Sequence, residues 1–108
     1  MPSPQLSNYL RSNRKRLVLS QGEVAFLLGR ESGAEVSRYE NFERLPGLET
    51  ALAYEVIFGM PLNEIFGGVY QRAEREVAER ARILASRTDG KYDAAKREML
   101  NRLAAINH

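Results

Sequence analysis

The chain has no cysteine and no tryptophan, and its single histidine is the last residue, His108. Without thiols there is no disulfide and no thiolate nucleophile or metal ligand. With one terminal histidine, a zinc site, a Ser-His-Asp triad and a Cys-His pair all fall away. Long apolar runs are missing too: none approaches the roughly 18 residues a membrane span needs. The segment MPSPQLSNYLRSNRK has no hydrophobic core of the signal-peptide kind, so a cytoplasmic address with no membrane partner is expected. Acidic residues are absent from positions 1–20, which carry Arg11, Arg14, Lys15 and Arg16. Since the net charge is only +2, that basic character is local.

What remains is the composition of a soluble globular protein, 44% apolar and 28% charged over 108 residues. That length suits one domain with its own core. No strand-like alternation, repeat or low-complexity tract interrupts it, and helical spacing recurs throughout. Leu6, Leu10 and Leu17 repeat at helical intervals, with Arg14 on the same apolar face. Ser20-Gln21-Gly22-Glu23 has the spacing of a capping box, followed by a helix over roughly 21–28 with Val24, Leu27 and Leu28 as its buried stripe. Gly29 suits a left-handed helix cap.

Ser32-Gly33-Ala34-Glu35 repeats the S-x-x-E spacing and predicts a third helix from Gly33, with Val36 and Glu40 on one face. A fourth helix opens at Leu48, with Leu48, Leu52, Glu55 and Phe58 as its stripe, and stops at Gly59. Pro61 suits the first turn of a short fifth helix through Leu62, Ile65 and Phe66. Beyond Gly67-Gly68, Tyr70, Ala73, Val77, Ala81 and Leu84 form a narrow seam lined by alternating charges. Asp89-Gly90 breaks it, and Tyr92, Ala95, Met99, Leu103 and Ile106 resume the spacing of a helical hairpin. The glycines at 29 and 33 do not make a phosphate loop, because neither the lysine nor the preceding strand is present.

Two short helices joined by a glycine turn have helix-turn-helix geometry. The ordered pieces LSQGEVAFLLG, VSRYENFERLP and GLETALAYEVIFGMPLNEIF resemble the phage-repressor-like (Cro-like, XRE-type) DNA-binding domains over about residues 6–66. The resemblance implies a five-helix lambda-repressor-like DNA-binding domain over residues 1–66; with the helical hairpin read from the spacing over 67–108, the expected architecture is all-α. It implies a sequence-specific transcriptional regulator of double-stranded DNA, with no enzymatic activity and no cofactor or metal. Arg14 and Glu40 look like the family's arginine–glutamate pair between the first and third helices.

By the same resemblance, base edges fall to Ser32, Gly33, Ala34, Ser37 and Arg38. Arg38 is the strongest reader, since it can grip guanine with two hydrogen bonds. Phosphates fall to Gln21, Asn41, Arg44, Arg11 and Lys15, although Arg11, Lys15 and Arg16 read equally as a solvated face. Tyr39 reads as packed, and Asn41 as the left-handed cap of the recognition helix, since Phe42 stands where the family has glycine. The turn Gly29-Arg30-Glu31-Ser32 is one residue longer than the family pattern and lacks its apolar plug. The hairpin is expected to form a homodimer, its seam packing on a second copy. The alternatives are that it folds back on its own domain or that residues 69–106 engage another protein, as in an antitoxin or adaptor.

Overall fold

The computed structural model describes residues 8–87 and 94–106, which form seven α-helices and, among the described residues, no strand. They are α1 (Leu10–Arg16), α2 (Gln21–Leu27), α3 (Ala34–Glu40), α4 (Leu48–Phe58), α5 (Leu62–Ile65), α6 (Gly67–Ser86) and α7 (Ala94–Ala104). The chain divides into two compact units, residues 1–68 and 69–108. Leu6, the Asp89-Gly90 break and Tyr92 lie outside the described residues.

In the first unit, Leu10, Val24, Ala25, Val36, Tyr39, Tyr54, Phe58, Ile65 and Phe66 are buried. Tyr54 is the aromatic hub, edge-on to Tyr39 and Phe66 at 6.3 and 6.5 Å and tilted against Phe58 at 5.6 Å. Each such ring pair adds about 0.5–1.5 kcal/mol beyond the area it buries.

Two of the expected stripes are displaced. On α2 the inward face is Gln21, Val24, Ala25 and Leu28, an i, i+3, i+4, i+7 set centred on the small Ala25, which admits close helix approach. Leu27 is therefore 52% exposed. On α4, Leu48 and Leu52 face outward at 72% and 45% exposure while Tyr54 and Phe58 turn inward. That helix is apolar on nearly all sides, so spacing alone does not single out a face, and the largest rings take the core. Glu55 accepts from the Leu62 backbone N–H at 3.2 Å and so caps α5 across the Gly59 turn. Its partner is thus a backbone amide.

The first three helices end alike. In each, a left-handed residue follows the cap, and the next N–H reaches back to the third-last helical carbonyl or its equivalent. The left-handed positions are Val18 at φ 59°, Gly29 at φ 77° and Phe42 at φ 65°. The closing bonds are Leu19 to Arg14 at 3.0 Å, Arg30 to Ala25 at 2.8 Å and Glu43 to Arg38 at 2.9 Å. Asn41 is not the left-handed cap: its N–H still bonds Ser37 in the helical pattern at 2.9 Å, so the reversal falls one residue later, on Phe42.

A β-branched and an aromatic residue in this region cost on the order of 1–2 kcal/mol each. Val18 is 87% exposed and Phe42 54% exposed, so little packing opposes relief. Val18→Gly and Phe42→Gly should each raise stability by about 1 kcal/mol in urea unfolding. A fall for Phe42→Gly would mean that the ring's remaining contacts outweigh the strain.

Among the described residues, Tyr54 carries the one buried side-chain polar atom without a hydrogen-bond partner. Burial first, then the neighbouring Glu40 charge and Tyr39, pushes its ionisation well above the ordinary value, with Arg14 opposing. A raised folded value means that this contribution to stability is complete below the unfolded value near 10.0 and is lost as pH climbs beyond it. Tyr54→Phe should therefore flatten the alkaline end of the stability curve. At neutral pH it should add about 1 kcal/mol by removing an unpaired hydroxyl, both read from urea midpoints against pH.

In the second unit, Ala78, Ala81 and Leu100 are buried, and the Arg82 guanidinium donates to the Ala104 carbonyl at 3.0 Å, tying α6 to α7. Within α6, Arg80 pairs with Glu76 at 4.0 Å, and Glu79 turns to Arg82 at 3.3 Å. Val77, Leu84 and Met99 stay 42%, 42% and 37% exposed beside an apolar groove floored by Ala81 and Leu100.

Candidate nucleic-acid interface

The site is built on α1, α2 and α3, whose ends are held by one polar network. Arg14 Nε donates to Glu40 Oε2 at 2.6 Å, and its terminal nitrogens donate to Glu40 Oε1 at 3.1 Å and to the Leu19 carbonyl at 3.0 Å. The two side chains are 11% and 3% exposed. This two-pronged geometry suits a guanidinium, whose fixed fork matches a carboxylate. The hydrogen bond to Glu40 raises the Arg14 pKa further, against the lowering effect of burial, so the cation persists at every workable pH. Its grip on Leu19 also holds the turn in which Val18 is strained.

Gln21, the first residue of α2, joins this network: its Nε2 donates to Glu40 Oε1 at 3.1 Å. The side chain is half-buried, and its amide keeps a second N–H and its carbonyl for other partners. The signal was present in the sequence, because Gln21 falls on the i, i+3, i+4, i+7 line of Val24, Ala25 and Leu28. Ser20 and Glu23 form the full capping box, with the Ser20 Oγ accepting from Glu23 N at 3.0 Å and Glu23 Oε1 accepting from Ser20 N at 2.8 Å.

The second S-x-x-E does not form such a box. Gly33 is the cap residue of α3, which places Ser32 before the cap and Glu35 too early in the helix to reach back. Ser32 Oγ instead accepts from Ala34 N at 3.4 Å, and Glu35 accepts from the Tyr39 hydroxyl at 3.2 Å. Gly33 lies close against the start of α2: a Cβ there would stand 3.1 Å from Gln21 Cβ and 3.3 Å from Gly22 N, tighter than ordinary contact. The starts of α2 and α3 thereby come close together, bringing Gln21 beside Gly33.

Outward on α3 stand Ala34 and Arg38, both exposed, with Ser37 partly so; Ser37 Oγ accepts from Asn41 Nδ2 at 3.3 Å. Ser32, Asn41 and Arg44 are exposed on the flanking turns, as are Arg11 and Lys15 on α1. Tyr39 is 2% exposed and belongs to the core, where its carbonyl accepts from Asn8 Nδ2 at 3.0 Å. The arrangement is a short helix locked on one side by an ion pair and offering small side chains and one arginine on the other.

Against known families, the helix-turn-helix profile matches residues 10–65, just over half of the chain. The chain belongs to the XRE-type helix-turn-helix family. It is a DNA-binding regulator of that repressor-like type, with the helix-turn-helix domain towards its N-terminus and further helices after it. No curated protein and no solved structure matches the chain. The helix-turn-helix match ends at Ile65, so it does not extend over α6 and α7. No helix among the described residues is long and apolar enough to cross a membrane, and those residues hold no cluster of potential metal ligands.

Proposed function

We propose that this regulator binds double-stranded DNA sequence-specifically in the cytoplasm, α3 lying in the major groove, with residues 1–66 as the DNA-binding domain and 67–108 as a dimerisation element. The observation that carries the reading is the two-sidedness of α3. Its inner side is fixed through Glu40, while Arg38 and the small residues Ala34 and Ser37 point outward. Small residues let the helix seat close to the bases, and Ala34 suits a thymine methyl. Ser32, Gly33, Ala34, Ser37 and Arg38 meet base edges. Gln21, Asn41, Arg44, Arg11 and Lys15 meet phosphates, Gln21 through the N–H that Glu40 leaves free. No catalytic step is assigned to the chain.

So few base contacts per copy call for two copies on two half-sites about one DNA turn apart. The half-exposed Val77, Leu84 and Met99 beside the α6–α7 groove support residues 69–106 as the homodimer contact. The same exposure supports a second reading, an antitoxin or adaptor whose hairpin engages a different protein. Sedimentation at micromolar concentration separates them, since a homodimer forms without any partner.

Selection from random DNA tests the main reading. A two-fold-symmetric motif, with affinity falling log-linearly with salt, is the expected result. Failure to enrich any sequence at low salt would sink specific recognition.

A further inference from the structure

The turn between α2 and α3, residues 28–33, contains one residue more than the family pattern and no apolar plug, yet both ends of it are tightly placed. The backbone of Arg30 is fixed by its N–H bond to Ala25 at 2.8 Å, directly after left-handed Gly29. Its guanidinium then spans two helices. One terminal nitrogen donates to Thr50 Oγ1 in α4 at 3.1 Å, and the other lies 3.8 Å from Glu35 Oε2 in α3. The other oxygen of Glu35 accepts from the hydroxyl of buried Tyr39 at 3.2 Å. Core ring, recognition helix, turn and α4 are thus joined in one line of polar contacts.

The geometry points to Arg30 as a positioning residue that sets the pose of α3 on DNA, replacing by two polar bridges the packing that an apolar plug supplies. A planar fork with five donors can serve two acceptors on different helices at once, which a lysine's single nitrogen does less well. Arg30 acts through Glu35 and Thr50 and touches no base. This inference rests on the DNA-binding reading given above.

The test is selection from random DNA with the full-length chain and its variants, with thermal unfolding as the folding control. Arg30→Ala is expected to return a broader motif and to lower affinity for the best wild-type site about 3- to 5-fold, the scale of an exposed pair, with the salt dependence unchanged. Glu35→Gln and Thr50→Val should broaden the motif in the same way and add little on top of Arg30→Ala. Arg30→Lys keeps the charge but should not restore the narrow motif.

A salt slope lower by about one charge in Arg30→Ala, fully rescued by Arg30→Lys, would overturn the inference in favour of a phosphate contact. An unchanged motif would also overturn it, while leaving specific DNA recognition intact. Wild-type chain that enriches nothing would instead defeat the DNA-binding reading. In that event the pose on DNA falls with it, and amide exchange at Ser37, whose N–H bonds the Gly33 carbonyl at 2.9 Å, decides only whether Arg30 steadies the start of α3: faster exchange in Arg30→Ala shows that it does, and unchanged exchange removes that role as well.

Discussion

Glu40→Ala is expected to cost about 3–5 kcal/mol, because it leaves the Arg14 guanidinium buried without its carboxylate. Arg14 is only 11% exposed at its side chain, so water cannot replace the lost partner cheaply. Three hydrogen bonds end on Glu40, two from Arg14 and one from Gln21, and the variant forfeits all of them. Set against the roughly 5–15 kcal/mol that a domain of this kind has in hand, the loss brings the first unit near its unfolding threshold. Urea unfolding followed by circular dichroism measures it directly. Arg14→Ala should match it in size, and the double variant should lose less than the sum, since neither charge is then left alone. Glu40→Gln keeps acceptor and shape while dropping the charge, and should fall between. Additive losses would show that the two side chains act independently despite their 2.6 Å contact.

That pair also shows how the sequence could be read. Arg14 four residues after Leu10, and Glu40 four after Val36, place two charges on apolar faces, where each needs a partner, and it is the resemblance to the repressor-like family that names them as one pair. The same logic placed the Ser20–Glu23 box and the left-handed Gly29, since both depend only on local spacing. It gave the wrong face where composition is nearly uniform around a helix: α4 offers apolar residues on both sides, and only the packing of Tyr54 among Tyr39, Phe58 and Phe66 selects one. It also gave the wrong box at Ser32, because the approach of Gly33 to Gln21 fixes where α3 begins, a tertiary constraint that no S-x-x-E spacing encodes. Phe42 is the same lesson at the other end of α3. Residue preference favoured Asn41 for the left-handed site, but the helix runs one residue too far for it. The bridge from Arg30 to Thr50 joins residues twenty apart in the chain, and nothing in their local spacing announces it.

On the recognition side, Arg38→Ala is expected to relax base preference at one position of the site by about 1–3 kcal/mol, some 5- to 150-fold in discrimination. Arg38 is exposed on α3, two residues before the Glu40 anchor, so its stem is placed by the network even though its guanidinium is free to reach outward. A two-pronged contact to guanine requires the planar fork, and Arg38→Lys should therefore keep overall affinity better than it keeps selectivity. Arg44 differs because it lies in the turn after α3 rather than on its outward face. As a phosphate contact its loss should weaken every sequence alike and lower the salt slope by about one charge. Binding titrations of both variants, on the selected site and on single-base changes of it, at several salt concentrations, separate the two behaviours. If Arg38→Ala and Arg44→Ala gave the same uniform loss, Arg38 would be a backbone contact as well. Specificity would then have to come from Ser32, Ala34 and Ser37, or from the shape of the DNA.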